Sequence, residues 1–265
     1  MKKGISSNVL KIIAIITMLI DHIAAYFYKE VNSDTYFLLR SIGRIAMPIF
    51  AYLIVQGYFH TKNLKQYIFR MFILATVTQI SIFVLGFVNH EYYKNYYIGI
   101  DQYLGVLYSY VLSLVLIMVI DKEKIIKKLT INQNIFLRIN IFILILLAYM
   151  NLKIEFEMFV PLIVLEFYGI EKLFQTEKNQ LIKETTKLKE NIIYNVLIAL
   201  VLLFTAWLVP YKIGCKYAMI IAAAFITLYN GKRGIKNDII KYLFYAVFPL
   251  QHIVFYIIAM IKSVK

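Results

Sequence analysis

The chain of 265 residues is predicted to be an all-α, polytopic membrane helix bundle of about nine transmembrane helices (eight to ten), on three observations. Hydrophobic residues make up 61% of it and charged residues only 17%, more apolar side chain than a water-soluble fold of this length buries. Its apolar runs last roughly 18 to 22 residues, long enough to cross a bilayer as helices, and they lack the period-two alternation of a membrane barrel. Lys and Arg gather between those runs, where they set orientation. A single domain over residues 1–265 follows.

The first run, Val9 to Tyr28, carries Asp21-His22 inside it. A carboxylate near mid-bilayer costs at least roughly 2.5 to 3.5 kcal/mol, so ionisable residues at that depth face the protein interior and mark a functional site. Lys2 and Lys3 ahead of the run imitate a signal peptide, but its length and its Asp-His interruption predict a retained helix. The second run, Leu39 to Phe59, opens LLRSIGRIAMPIF and sets Arg40 and Arg44 one turn apart on one face, with Pro48 a turn further. The third, Tyr67 to Val88, holds Arg70 near its start, and the fourth and fifth are Tyr103 to Ile120 and Ile135 to Leu152. The sixth, Met158 to Ile170, is short and carries Pro161 and Glu166, so it either spans or forms a re-entrant pair with the fifth.

TEKNQLIKETTKLKEN, Thr176 to Asn191, mixes Glu and Lys at helical spacing and reads as a solvated connection. The seventh and eighth runs are Asn191 to Leu208 and Ile213 to Tyr229. In the ninth, Ile239 to Ile261, Tyr245, Pro249, His252 and Tyr256 fall along one stripe, and Pro249 is expected to kink the helix.

With the connections assigned alternately to two faces, 20 of the 29 basic residues fall on the face of the N-terminus. The positive-inside rule makes that face cytoplasmic and the C-terminus external. The formal charge of +14 is thereby explained by membrane orientation and lipid headgroups, and no nucleic-acid partner is expected. The lone Cys215 excludes an internal disulfide.

This topology puts Asp21, His22, Arg40 and Arg44 at similar depth in the outer half of the bilayer. Neighbouring helical residues diverge by about 100°, so Asp21 is poorly placed to orient His22. An ion pair from Asp21 to Arg40 or Arg44 is expected instead, leaving His22 for proton chemistry. The plainer alternative is a structural ion pair beside a hydrogen-bonded core histidine. On the inner face, the turns His60-Thr61-Lys62-Asn63 and Asn230-Gly231-Lys232-Arg233-Gly234 combine donors with, in the second, glycines that admit a phosphate to the backbone. Ordinary basic inner loops are the competing explanation. No Walker or GxGxxG motif and no metal-ligand spacing occurs.

LKIIAIITMLIDHIAA, LRSIGRIAMPIFAYLIVQGYFHTKN and YNGKRG with YLFYAVFPLQHIVFYII closely resemble the TraX family, whose namesake is a conjugative pilin N-acetyltransferase. The likeness covers residues 8 to 85 and 228 to 261; where the family carries a YPLH-like element, Gln251 here separates Leu250 from His252. A fainter likeness to the membrane acyltransferase-three family rests on His22, Arg40, Arg44, Ile45 and Pro48. The first resemblance implies a bacterial-type inner-membrane enzyme that moves acetyl from acetyl-CoA to the N-terminal amine of a membrane peptide. His22 would then be the base and Arg40 or Arg44 the oxyanion or phosphate partner, with Asp21 holding the arginine. His252 and Tyr245 are further catalytic candidates, and His60, Lys62, Arg70, Asn230, Lys232 and Arg233 the candidates for binding the acyl donor. The second resemblance implies O-acyl transfer to a surface glycan or lipid. The same ionisable groups also suit a small transporter or proton pathway, although no symmetry between the halves suggests a repeat-built transporter. The acceptor and the oligomeric state are not legible in the chain.

Overall fold

The computed structural model describes residues 4–28, 30–88, 104–121, 130–152, 154, 158–178, 186–209, 213–235 and 237–263. Tyr103, residues 179–185 of the Glu/Lys connection, and Lys122, Lys124, Lys127 and Lys128 of an inner loop lie outside the described residues.

Eleven α-helices run in order: α1 (Ser7–Tyr26), α2 (Ser33–Gly43), α3 (Ala46–His60), α4 (Leu64–Val88), α5 (Val106–Asp121), α6 (Ile131–Asn151), α7 (Phe159–Lys178), α8 (Thr186–Leu208), α9 (Ile213–Tyr217), α10 (Ile221–Thr227) and α11 (Asp238–Ser263). A 3-10 turn, Ala218–Ile220, joins α9 to α10. Taking α2 with α3, and α9 with α10, as single broken helices leaves nine helical segments among the described residues, one for each apolar run. The chain is all-α there, with isolated bridges in place of strands. Ser7–Tyr26, Ser33–His60, Leu64–Val84 and Ile131–Asn151 are long and apolar enough to cross a membrane, and shorter apolar helices accompany them. Large apolar side chains such as Phe136, Leu144, Met150, Trp207 and Leu243 are exposed, the outward apolar surface that hydrocarbon solvates and water does not.

The break between α2 and α3 has a local cause. Pro48 has no amide hydrogen for the carbonyl of Arg44, and its ring crowds that carbonyl, so the helix is interrupted at Arg44-Ile45 and restarts at Ala46. The sequence reading took this stretch as one span from Leu39; in the structure α2 starts six residues earlier, at Ser33, where Asn32 caps it by accepting a 2.8 Å hydrogen bond from Thr35 N–H. The sixth run is likewise longer than its apolar core, because α7 continues beyond Ile170 to Lys178. Pro249 lies inside α11, which runs unbroken as a helix from Asp238 to Ser263. The Glu/Lys connection is helical at its described ends, closing α7 and opening α8.

Helix α1 packs against α2, α3 and α11, and α11 packs against α4. On the other side α3 meets α7, which also contacts α5 and α8. A polar tie secures this side: Tyr58 and Tyr168 hydroxyls each donate to the Asp121 carboxylate at 2.6 Å, and Lys172 Nζ lies 2.7 Å from it. The fully buried Leu10, Ile49, Leu114 and Phe167 mark the core at the junction of α1, α3, α5 and α7. Helices α1 and α11 run in the same direction, in contact at successive levels: Lys11 Nζ sits 5.4 Å from the Phe244 ring centre, Met18 touches Gln251, His22 meets Gln251, and Phe27 meets Phe255.

Candidate functional site

The polar residues of the first two runs converge. Arg40 Nη1 donates to Asp21 Oδ2 at 2.8 Å, and Arg44 Nη2 lies 3.1 Å and 3.4 Å from Oδ1 and Oδ2. The expected pair is therefore a triad in which both arginines share one carboxylate. Arg44 is only 5% exposed and the Asp21 side chain 14%, so the three groups sit largely out of solvent with one net positive charge among them. Gly43 makes this approach possible: a β-carbon there would overlap Cβ, Cγ and Oδ1 of Asp21. The interruption imposed by Pro48 lets the chain turn between the two helices while Arg40 and Arg44 both reach Asp21.

His22 points away from Asp21 to α11. Its Nδ1 lies 2.9 Å from Gln251 Oε1. An amide oxygen only accepts, so Nδ1 carries the hydrogen and the lone pair of the neutral ring resides on Nε2. His252, buried beside it, has its ring centre 5.1 Å from that of His22 and its Nδ1 3.0 Å from the Tyr26 hydroxyl. The reading of Asp21 and His22 as residues with separate partners matches this geometry. Gln251 and Tyr26 were missed. Gln251 stood in the sequence only as an extra residue before His252, yet it contacts His22, and its amide nitrogen meets Met18 Sδ at 3.8 Å.

Tyr245 lies elsewhere, one to two turns toward the start of α11, in the wall of a cavity of about 200 Å³. The cavity lies between α1, α3, α4, α5 and α11, with Ile15, Phe50, Leu74, Leu107 and Phe248 within it and Asn8, Lys11, Arg233 and Asn237 supplying its polar groups. Among the donor-binding candidates, Arg233 lines this cavity; His60, Lys62, Arg70, Asn230 and Lys232 do not. His60 bonds through Nδ1 to the Gln56 carbonyl at 2.8 Å, and Lys62 and Arg70 are exposed.

The 230–235 loop has a structural task of its own. The backbone carbonyls of Lys232 and Arg233 accept from the amides of Ser7 and Asn8 at 2.9 Å and 3.2 Å, supplying acceptors that the Ser6 side chain does not provide to the first turn of α1. Ile5 and Asn230 add backbone bonds to the same clamp, and Gly231 and Gly234 adopt left-handed φ of 75° and 87° to shape it. The glycines thus aim carbonyls at a helix while the Arg233 side chain remains at the cavity. Lys11, counted in the sequence only as a topology charge, is the second cation there.

A family model described as TraX protein matches residues 6–259 of the chain. The probable fimbrial assembly protein FimC, serogroup H1, of Dichelobacter nodosus is 37% identical over 70 residues, which are 26% of this chain and 28% of that protein. The uncharacterized protein RP591 of Rickettsia prowazekii (strain Madrid E) is 35% identical over 103 residues, 39% of this chain and 36% of its own. The chain therefore spans about a third of the length of the curated relatives it matches. No solved structure matches it.

Proposed function

The chain belongs to the TraX family, and from that premise we propose that this membrane protein is an acetyltransferase that moves acetyl from acetyl-CoA to the N-terminal amine of a membrane peptide. One observation carries the reading: His22, its Nε2 left as the basic nitrogen by Gln251, follows directly in sequence the Asp21 that gathers Arg40 and Arg44, so a base and a positive centre stand at one level of α1 on different faces. A base beside a low-solvent positive centre is what attack of an amine on a thioester requires.

The imidazole accepts the proton that the amine gives up as it attacks. The new C–N bond forms as the carbonyl oxygen takes up negative charge opposite the arginine pair. The C–S bond then breaks, and the thiolate takes the proton held on His22. Asp21 acts by holding the two guanidinium groups in place, Gln251 by holding the ring.

The acceptor class is supported by the relative named as a fimbrial assembly protein: a pilin-like membrane peptide presents a free amine at the depth of this centre. The basic connections favour an inner membrane with the N-terminus cytoplasmic, so acetyl would move outward across it. Mass spectrometry of acetylated products from cells with and without the chain tests the proposal. An acetylated peptide N-terminus that depends on the chain and on His22 is expected; an unchanged set of acetylated products refutes it.

A further inference from the structure

We propose that the cavity between α1, α3, α4, α5 and α11 receives the acyl donor, its phosphates on Lys11 and Arg233 and its slender arm in the apolar interior. The identity of the ligand rests on the acetyl-transfer reading; the site itself rests on the geometry.

Lys11 and Arg233 stand on separate elements, α1 and the loop that clamps its start, and both line the same cavity. Lys11 Nζ lies over the Phe244 ring, and among the described residues neither cation has a carboxylate in ion-pair contact. The two like charges repel, and Lys11, half-buried beside the apolar chamber, has lost hydration, whereas Arg233 is exposed; a bound anion offsets the repulsion and the lost hydration of Lys11. Asn8 and Asn237 add amide groups beside them. The loop amides of Asn230 and Lys232 already donate to Ile5 O and Asn230 Oδ1, and the Arg233 side chain is the charged donor that this loop brings to the cavity.

Position and size then select the ligand. Ile15 and Phe248 line the cavity, and one helical turn further along α1 and α11 stand Met18 and Gln251, which touch each other beside His22. From Lys11 to His22 the path along α1 is about 16 Å at 1.5 Å per residue. Only a ligand with a phosphate at one end and a narrow reactive chain of that order at the other reaches both places. The volume of about 200 Å³ lies below the roughly 300–1,000 Å³ of pockets that enclose a drug-sized ligand. It therefore suits an arm of the phosphopantetheine type and leaves the nucleotide outside, whereas the two acyl chains of an anionic phospholipid exceed it.

The test is equilibrium binding of coenzyme A and of pantetheine, which lacks the phosphates, to the full chain in neutral phosphatidylcholine nanodiscs. Wild type is compared with Lys11→Gln, Arg233→Gln and the control Lys65→Gln, an exposed lysine in the first turn of α4. Arg233→Gln retains the carbonyl that caps α1, so it preserves the fold. We expect each cavity variant to weaken coenzyme A at least tenfold, to leave pantetheine unchanged, and Lys65→Gln to match wild type. If wild type binds coenzyme A and all three variants bind it equally, the site is overturned while the acetyl-transfer reading stands. If wild type binds no coenzyme A, both fall. Nanodiscs containing phosphatidylglycerol complete the test: stabilisation by that lipid through Lys11 and Arg233, without coenzyme A binding, identifies a lipid site and also overturns the proposal.

Discussion

Gly43 faces Asp21 across the α1–α2 contact so closely that a β-carbon on the glycine would overlap the carboxylate itself. Asp21 in turn holds both Arg40 and Arg44, so the smallest residue in this region sets the geometry of its largest cations.

Gly43→Ala is expected to push α2 from α1, since overpacking a tight contact costs about 1–3 kcal/mol. Thermal unfolding of the purified chain should show a lowered midpoint together with loss of acetyl transfer. Gly169→Ala, where nothing lies within 4 Å of an added β-carbon, should leave both unchanged or raise the midpoint slightly. Equal behaviour of the two variants would remove the steric role assigned to Gly43.

Asp21→Ala should destabilise the chain by about 3–5 kcal/mol, because it strands two largely buried guanidinium groups. Arg44→Lys keeps the charge but loses the guanidinium that puts Nη2 on both carboxylate oxygens while Nε meets the Arg40 carbonyl. Its transfer rate should fall at least tenfold with the fold retained. A rate equal to wild type would mean that charge alone suffices.

His22→Ala should lower the rate constant for transfer by about 10²–10⁴-fold, the range for general-base assistance, with expression intact. Full activity would sink the base assignment. Gln251→Leu removes the acceptor at 2.9 Å from Nδ1 and should lower kcat with little change in KM. Gln251→Glu, which restores an acceptor oxygen, should recover part of the loss; recovery by leucine instead would identify Gln251 as packing only.

With an amine acceptor, initial rates at saturating donor should rise with pH through roughly 7.7 to 8, as the neutral amine becomes populated, and level off above it. A sugar or lipid hydroxyl does not titrate in that range, so a flat profile there would favour O-acyl transfer.

Labelled acetyl-CoA supplied on the cytosolic face, outside sealed inverted vesicles or inside right-side-out ones, tests sidedness. Label should enter an acceptor amine exposed on the face opposite the basic loops, and modification confined to an acceptor reachable only from the cytosolic face would contradict outward transfer.

Much of this was legible in the chain because membrane spans are written as long apolar runs and an ionisable residue within one stands out against its solvent. Asp21, His22, Arg40 and Arg44 declared themselves in this way, and the pairing of Asp21 with an arginine across two helices joined by a short loop follows from their shared depth. The break after Arg44 was not legible in this way: the run reads as one span, and only the structure shows the interruption ahead of Pro48.

What only the tertiary structure decided is which way the remaining polar groups face. Hydropathy gives a helix its length but not its rotation about its axis, nor the register of two helices 229 residues apart in the chain. His22 finds Gln251 because α1 and α11 run in the same direction, in contact, and Lys11 and Arg233 come to one cavity because the 230–235 loop folds over the start of α1. By contrast His60, Lys62 and Arg70 share a basic face with them in the sequence but not that cavity, since a charge at a membrane surface is solvated in any direction and leaves its orientation to packing.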